Sequence, residues 1–268
     1  MTAVAGGAET RVWSTQGTYL AIDTSTRVGS VCLGVGGRVV ARAVIHGQGS
    51  HSSDLIPTVD EVLRGAGADL SELDGLVVGS GPGSFTGLRV AAATAKGLAH
   101  ALHIPLWAIS SLEAGAATVD IDETELSGDA DGASDPLKGR PPALSDEERT
   151  WPRYVLFDAR ADRVYGACYR PTESGFEVLI PPHATTIGDL LSKDLPDSVF
   201  AGDGAQRHEI EIRGAGMRLL PAPLGMPTAA GLLRAAEKPS RAPLENVALW
   251  EPDYLRPSSA ERFSRSGA

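Results

Sequence analysis

The sequence predicts an α/β fold in two lobes, each built on a mixed sheet with helices packed against it. Three observations predict this fold. The 268 residues exceed what one hydrophobic core usually serves, strand-like and helix-like patterns alternate along the chain, and the opening order of strands and a helix recurs in the second half without sequence identity. The predicted segments are a disordered extension over 1–17, a first lobe over 18–119, an acidic disordered insertion over 120–150, a second lobe over 151–242, and a C-terminal segment and tail over 243–268.

The first lobe opens with strand-like sequence. A β-type run over 18–25 precedes two further strand-like segments that meet at Gly36 and Gly37, a pair suited to a tight hairpin. We therefore expect a three-stranded meander. Later in the lobe, "LDGLVVGS" predicts a buried strand, the glycine-rich stretch after it predicts a turn and a helix to about Leu102, and "IPLWAIS" predicts another strand.

A helix is predicted over 53–64, between the meander and the buried strand. Ser52 or Ser53 is expected to cap it and Gly65 to end it, while Pro57 is tolerable because it falls near the first turn. The apolar positions at helical spacing are Leu55, Ile56, Val59, Val62 and Leu63.

The second lobe repeats the strand-rich opening. Three strands are predicted by "RYVLFDAR", "RVYGACYR" and "FEVLI", a helix by "TIGDLLSKD", a further strand by "SVFAGDG", and a helical segment by "TAAGLLRAAEK". Cys32 and Cys168 fall in apparent strands of different lobes. Both are therefore expected to be buried thiols rather than a disulfide or a nucleophile.

Most of the acidity lies in one segment. Residues 120–150 hold ten acidic and three basic side chains and no aromatic residue, within a chain whose formal net charge is −10. Such a segment cannot bury enough apolar surface to offset its ordering entropy, so it is predicted to be disordered. The acidic balance also argues against a large phosphate-binding surface, and the chain alone should bind RNA poorly.

Targeting signals are not recognisable in the sequence. No apolar run approaches the roughly 20 residues that span a bilayer, and the first 17 residues carry no apolar core of the secretory type. The sequence therefore predicts a cytoplasmic protein without a membrane span.

The stretch "GSGPGSFTGLRVAAATAKGLAH" resembles a phosphate-binding loop, because glycines are followed by hydroxyl residues and then by a predicted helix. A P-loop requires Lys and then Ser or Thr after the last glycine, but Leu88 and Arg89 stand there. The dinucleotide fingerprint also fails, because Thr86 occupies the position of its third glycine. Two interpretations stay open: backbone amides at the helix N-terminus attract an anion, or glycine and proline make a sharp turn capped by Ser84 or Thr86.

Hydroxyls and a carboxylate also cluster in the first hairpin turn. Asp23, Thr24, Ser25 and Thr26 follow the first strand, and an Asp beside hydroxyls and amides is one way in which ATPases hold phosphate and magnesium. The same residue types are common in turns for local hydrogen-bonding reasons alone. These four residues are therefore a weak candidate for a nucleotide-like loop.

Histidine spacing does not predict a metal site. His46 and His51 are five apart, which places them about 140° apart on a helix, and His100 and His103 have no carboxylate within a turn to complete a ligand set. The sequence also lacks a Gly-x-Ser-x-Gly nucleophile elbow. We therefore expect neither a bound metal nor hydrolase chemistry of that type.

Several stretches together resemble the bacterial TsaB family, formerly YeaZ, in their order and spacing. They cover most of residues 18–256 outside the acidic insertion, and the Gly-Pro-Gly-Ser-Phe-Thr-Gly block is the most distinctive piece. The stretches are "YLAIDTST", "HSSDLIPTVDEVL", "LDGLVVGSGPGSFTGLRVAAATAKGLA", "IPLWAISSLEA", "FDARADRVYGACY" and "EPDYLR". The resemblance implies a two-lobed fold of the actin, sugar-kinase and Hsp70 type.

The resemblance also implies a non-catalytic partner subunit without a cofactor of its own. In this family TsaB pairs with the related catalytic subunit TsaD and the ATPase TsaE. Together they transfer a threonylcarbamoyl group from threonylcarbamoyl-AMP to N6 of adenosine 37 in tRNA. The implied consequences are that tRNA is bound only through the complex, that a nucleotide could sit at the partner interface, and that the chain could form a homodimer when alone.

The partner surface implied by the resemblance is a helical bundle made from helix 88–102 and the preceding helix. Ala91, Ala95, Leu98 and Leu102 would form an inward stripe of helix 88–102, while a second stripe would hold Arg89, Ala93, Lys96 and His100. Simple packing of this helix onto the protein's own sheet is the alternative. The implied interface residues are Leu55, Val59, Arg89, Ala92, Ala93, Lys96 and Gly97.

Two other functions are compatible with the fold class. An active ATP-dependent phosphotransferase would use Asp23 and Asp158 around a nucleotide-bound magnesium. An active member would show a small residue and Gly after the second Asp, where this chain has "FDAR". A metallopeptidase is less favoured, because the metal ligands are missing.

Overall fold

The first lobe is a mixed sheet with two long helices. The computed structural model describes residues 13–46, 51–121, 144–237 and 241–255. The elements of the first lobe are, in chain order, β1 (Thr18–Asp23), β2 (Val28–Val35), β3 (Arg38–His46), α1 (His51–Ala66), β4 (Gly75–Gly81), α2 (Phe85–Leu102), β5 (Leu106–Ser110) and α3 (Ser111–Ala117). The predicted meander is confirmed, since β2 pairs antiparallel with both β1 and β3.

The second lobe repeats the sheet with shorter helices. Its elements, together with the helix that precedes it and the one that follows it, are α4 (Asp146–Thr150), β6 (Arg153–Asp158), β7 (Arg163–Thr172), β8 (Gly175–Thr186), α5 (Ile187–Leu191), β9 (Val199–Ala201), α6 (Asp203–Arg207), α7 (Glu209–Gly214), β10 (Arg218–Leu219) and α8 (Ala229–Ala236).

Both sheets have the same topology. The strand order is β3-β2-β1-β4-β5 in the first lobe and β8-β7-β6-β9-β10 in the second, and in each sheet the last two pairings are parallel. Cys32 and Cys168 lie buried in different sheets, as predicted. The prediction of two α/β lobes, each with a mixed sheet, is confirmed.

The first sheet buries both of its faces. Along β1, Leu20 and Ile22 face a core shared with α1 and α2, whereas Tyr19 and Ala21 face a second core shared with α3 and α8, as the two-residue period of a strand requires. Helix α3 is buried at every position. Its Leu112 packs against the second sheet, so α3 joins the lobes.

Helix α8 packs on the first lobe, although it follows the second lobe in the chain. It lies against Tyr19 and Cys32, and the N–H of Ala229 donates to Ser30 Oγ at 2.8 Å. The predicted second-lobe boundary at 242 is thereby corrected. The helical pattern showed an apolar face but not which sheet would cover it.

Residues 13–17 are part of the folded chain. Trp13 stacks on Tyr19 with 3.9 Å between ring centroids and meets Trp107 edge-on at 5.5 Å. The predicted disordered extension over 1–17 is therefore too long. Trp107, which helps to hold Trp13, is distant in sequence and could not be paired with it from local pattern. Residues 1–12 of that prediction lie outside the described residues.

The ends of the acidic insertion are anchored to the body of the protein. The buried Arg153 guanidinium forms an ion pair with Asp120 at 2.6 Å and donates to the carbonyl oxygen of Arg149 at 2.8 Å. The prediction of disorder is therefore wrong for Asp120 and for 144–150, where a buried cation offsets the local acidity. Residues 122–143 lie outside the described residues.

The C-terminal segment returns to the first lobe. Residues 241–255 run along β5 and α2, and the N–H of Leu244 donates to the carbonyl oxygen of Leu106 at 2.8 Å. As far as residue 255, the predicted C-terminal segment is therefore part of the first lobe's surface. Residues 256–268 lie outside the described residues.

Helix α1 differs from its predicted bounds. It begins before Ser52 and Ser53, so these residues lie in its first turn and do not cap it, and Pro57 lies inside the helix. Gly65 is its penultimate residue. The residue that takes the left-handed conformation after the helix is Gly67, with φ of 65°.

Candidate functional site: the glycine-rich turn and helix α2

The glycine-rich turn between β4 and α2 lies directly on the β1–β2 hairpin turn. A Cβ at Gly83 would overlap the backbone of Ser25, and a Cβ at Gly87 would overlap the carbonyl oxygen of Thr24. Ser84 caps α2, and its side-chain oxygen accepts from the N–H of Gly87 at 3.3 Å. Glycine is therefore needed here for close backbone contact, and of the two predicted caps Ser84 is the one used.

The hairpin turn is closed by its own hydrogen bonds. Asp23 accepts from the N–H and Oγ of Ser25 at 2.9 and 2.6 Å and from Ser111 Oγ at 2.8 Å, while Thr24 Oγ1 donates to the carbonyl oxygen of Gly87 at 2.7 Å. The exposed fractions are 0, 1, 2 and 9% for Asp23, Thr24, Ser25 and Thr26. The predicted loop residues therefore lie together, but they are sealed beneath the glycine-rich turn.

Helix α2 turns one face to the sheet and one face outward. Ala91 and Ala95 are fully buried, as predicted for the inward stripe, whereas Leu98 and Leu102 are only partly buried. A Cβ at Gly97 would meet nothing within 4 Å. The exposed positions of the outward face are Arg89, Ala93, Gly97 and His100, with Lys96 partly exposed.

Three of the implied interface residues belong to the chain's own buried interior. Leu55, Val59 and Ala92 are 1, 4 and 6% exposed, because α1 turns its apolar face to the sheet and α2 buries Ala92. The structure therefore corrects this part of the implied interface. Ile56, assigned to the same apolar pattern, instead points outward and is 54% exposed.

Comparison with known proteins places the chain in a family. Residues 45–131 match the family model described as TsaD: tRNA N6-adenosine threonylcarbamoyltransferase. The tRNA threonylcarbamoyladenosine biosynthesis protein TsaB of Haemophilus influenzae is 42% identical over 97 residues, which are 36% of this chain and 41% of that protein. Its Bacillus subtilis namesake is 30% identical over 196 residues, which are 72% of this chain and 73% of that protein. The chain belongs to the TsaB family.

A solved structure confirms the TsaB fold. The crystal structure of an uncharacterized protein with similarity to peptidase YEAZ from Pseudomonas aeruginosa matches with a TM-score of 0.68 and 27% identity, over 90% of this chain and 100% of that one. The predicted two-lobed α/β fold is therefore confirmed. The chain spans less than half the length of the Haemophilus TsaB relative.

Asp158, the second candidate carboxylate of this TsaB-family chain, also accepts hydrogen bonds from within the chain. Asp158 accepts from the N–H of Arg160 at 2.8 Å and from the Arg207 guanidinium at 2.9 Å. Its own N–H donates to Asp203 at 3.3 Å. Burial raises the pKa of Asp203 to about 6, and the neighbouring Asp158 carboxylate adds to the rise. Asp23 and Asp158, the pair that a phosphotransferase would use for magnesium, thus each bind partners within the chain.

Sequence reasoning missed the contacts between the cations of α2 and aromatic side chains. Lys96 lies over the Trp250 ring, 5.7 Å from its centroid. Arg89 lies over the Phe85 ring at 4.3 Å, and that ring contacts Tyr254 with 5.0 Å between centroids. Aromatic residues make up only 5% of the chain. The presence of Trp250 and Tyr254 close together near its end was the sequence feature that could have indicated these contacts.

The described part of the TsaB-family chain contains neither a cluster of metal ligands nor a helix that could span a membrane. Within these residues, no three His, Cys, Asp or Glu side chains are grouped closely enough to hold a metal, and His100 and His103 have 6.3 Å between their ring centroids. No described helix has the length and apolar character needed to cross a membrane. The expectation that the protein binds no metal remains a prediction.

A cavity of about 240 Å³ lies apart from these features. Its walls include Trp13, Arg38 and Leu233, and none of the predicted site residues lines it. Asp120, an acidic residue of the lining, is already paired with Arg153. The cavity is therefore separate from the glycine-rich turn and from the outer face of α2.

Proposed function

We propose that this chain is a non-catalytic subunit of tRNA threonylcarbamoyladenosine biosynthesis that binds a TsaD-type catalytic subunit through the outer face of α2. The observation that carries the proposal is the composition of that face. At the centre of an 18-residue helix lie the exposed Ala93 and Gly97, whose small size lets a partner helix approach closely. Arg89 and Lys96 beside them can pair with carboxylates of the partner.

The likeness to TsaD supports a partner of related fold. The TsaD family model matches residues 45–131, a range that includes both α1 and α2. Two chains of related fold can pair through equivalent helices about an approximate twofold axis. The same surface would form a homodimer when the chain is alone, and the homodimer would then compete with the TsaD-type subunit.

The sealed hairpin turn supports a non-catalytic role. Asp23 is fully buried and accepts three hydrogen bonds from within the chain, and Asp158 is paired with Arg207. A nucleotide-bound magnesium needs carboxylate oxygens within its reach. We therefore favour a scaffold over a phosphotransferase, and a nucleotide in the complex would lie at the partner interface.

The proposal extends to the other components implied by the resemblance. A TsaE-type ATPase would bind the assembled complex. The formal charge of −10 disfavours tRNA binding by this chain alone, so tRNA would be held through its partners. A subunit that takes part in tRNA modification would act in the cytoplasm.

Replacing both Ala93 and Gly97 with Arg tests the docking face. Two long charged side chains should block a partner helix and add a desolvation cost, so co-purification with the TsaD-type subunit and threonylcarbamoyladenosine in tRNA should both be lost. Both positions are exposed, and Arg is a better helix former than Gly. The circular dichroism spectrum should therefore stay unchanged, and the melting temperature should stay unchanged or rise slightly.

The matched control replaces Ile210 and Gly214 with Arg on α7. Both residues are exposed and have the same spacing, so this variant adds equal charge to the second lobe and should bind the partner normally. Normal binding by a folded Ala93→Arg/Gly97→Arg variant would place the interface elsewhere. If that double variant fails to fold, the single Ala93→Arg variant repeats the test.

ATP hydrolysis separates the scaffold from the phosphotransferase. The purified chain should hydrolyse ATP no faster than its Asp23→Asn variant, because Asp23 is sealed from solvent. Turnover that Asp23→Asn abolishes would favour the phosphotransferase instead.

A further inference from the structure

The C-terminal segment over 241–255, here called the strap, is fixed to the first lobe by main-chain hydrogen bonds. The N–H of Leu244 donates to the edge strand β5 at 2.8 Å. At the other end, the N–H of Asp253 donates to the carbonyl oxygen of Ser80 at 2.7 Å, and Ser80 Oγ donates to the Asp253 carboxylate at 2.9 Å. The strap therefore has a defined course across the start of α2.

Along its course, the strap contacts Lys96 of the α2 outer face directly and reaches Arg89 through the Phe85 ring. Lys96 Nζ donates to the carbonyl oxygen of Ala248 at 3.1 Å and lies over the ring of Trp250. The Arg89 guanidinium lies 4.3 Å from the centroid of the Phe85 ring, whose neighbour in the strap is Tyr254. Each cation is thus held by an aromatic ring that either belongs to the strap or is buttressed by it.

We propose that Trp250 and Tyr254 are positioning residues for partner binding, which hold Lys96 and Arg89 in the orientation that a TsaD-type subunit recognises. The inference rests on the function proposed above and adds the strap to the docking site. Free Lys and Arg side chains lose considerable rotamer entropy when they become fixed in an interface. A cation already seated on a ring loses less, so the strap should raise affinity without contacting the partner through these rings.

The chemistry of the seated cations also indicates what the partner presents. Lys96 gives one hydrogen bond to Ala248 and, as an ammonium group with three donors, keeps others for a partner. The guanidinium of Arg89 is planar and suited to two parallel hydrogen bonds with a carboxylate. The complementary surface is therefore a helix of the TsaD-type subunit that carries acidic side chains opposite Arg89 and Lys96, beside the contact with Ala93 and Gly97.

The test measures the affinity of the full chain for its TsaD-type subunit by calorimetry. Trp250→Ala removes the ring beneath Lys96, and Tyr254→Ala removes the support of the ring beneath Arg89. Each should raise the Kd about three- to fivefold, the range expected for loss of an exposed cation–π contact, and the double variant about tenfold or more. Tyr254→Phe and Trp250→Phe keep a ring and should restore binding to within about twofold. Glu251→Ala is the matched control, since this exposed residue lies in the strap between the two rings.

A double-mutant cycle separates positioning from general support of the fold. In an Arg89→Ala background, Tyr254→Ala should change the Kd by less than about 1.5-fold, because no guanidinium is left to orient. If Tyr254→Ala still raised the Kd about three- to fivefold in the Arg89→Ala background, the inference would be overturned. Wild-type affinity in both Tyr254→Ala and Trp250→Ala would overturn it as well. If the wild-type chain itself does not bind the TsaD-type subunit, that result contradicts the proposed function, and with it the inference that rests on it.

Discussion

The two lobes share one sheet topology but differ in the helices that connect their strands. In the first lobe the connections from β3 to β4 and from β4 to β5 contain helices of 16 and 18 residues. The equivalent connections in the second lobe contain a helix of 5 residues and a pair of 5 and 6 residues. A helix of one or two turns offers little surface for a partner helix. The two lobes therefore share a sheet, but the extended helical surface lies on the first lobe.

The lobes also close their hairpin turns by different means. In the first lobe the turn after Asp23 is sealed by hydroxyls and by glycine backbone. In the second lobe the turn after Asp158 is held by charged groups, with Arg207 paired to one carboxylate and Asp203 beside it. Hydroxyl groups and close backbone contact thus close one turn, whereas an ion pair closes the other. This difference predicts how each lobe responds to substitution and to pH.

The largest expected effect tests the ionic contacts. Replacing Arg153 with Ala removes a fully buried guanidinium and leaves Asp120 without its partner, which should lower the free energy of unfolding by about 3–5 kcal/mol. The control is Arg170→Ala. That residue pairs with Glu177 through side chains that are each about half exposed, so its removal should cost less than about 1 kcal/mol. Equal urea midpoints for the two variants would contradict the comparison.

A smaller effect tests the packed backbone of the first lobe. Gly87→Ala places a methyl group on the carbonyl oxygen of Thr24, and the enforced shift should cost about 3 kcal/mol. Gly97→Ala, in the same helix, enters open space and should stabilise the chain by about 0.5–1 kcal/mol. Urea unfolding of the two variants measures the difference, and a harmless Gly87→Ala would mean that the two turns are not in tight contact.

The smallest effect is a pH dependence assigned to the second lobe. The pKa of Asp203 is raised from 3.8 to about 6, so the folded chain retains a proton near pH 5 that the unfolded chain has released. Stability from this group is present below about pH 4 and is lost as pH rises through about 6, a change of about 1–3 kcal/mol.

Unfolding of the wild type and of Asp203→Asn between pH 4 and 7 measures this change. The difference between the two proteins should vary across that range. If the free energies of unfolding of the wild type and Asp203→Asn differed by the same amount at every pH, the pH dependence could not be assigned to Asp203.

The sequence predicted the features that depend on local pattern. Alternation and helical period predicted the meander, the strands and the inward Ala91 and Ala95, and the lack of Lys followed by Ser or Thr after the last glycine excluded a P-loop. It also predicted that Leu55 and Val59 lie on one apolar face. A face of that kind on a helix beside a sheet is covered by the sheet, which is why these residues are core and not interface.

Features that depend on distant partners could not be predicted in this way. The pattern of α8 showed an apolar helix but not the first-lobe sheet beneath it. Trp13 and Trp250 lie in segments without periodicity, and their contacts with Trp107 and Lys96 join residues that are far apart in the sequence. The anchoring role of Arg153 depends on Asp120, on the opposite side of the acidic insertion.

The position of α8 has a consequence for synthesis of the chain on the ribosome. About 110 residues separate the end of α3 from the start of α8, and at about 5–20 residues per second their translation takes roughly 6–20 seconds. During that interval the nascent first sheet has Tyr19, Ala21 and Cys32 uncovered on the face that α8 later fills. The first half of this protein therefore cannot complete its core before the second half has been made, and a chaperone that shields an apolar sheet face would act in that interval.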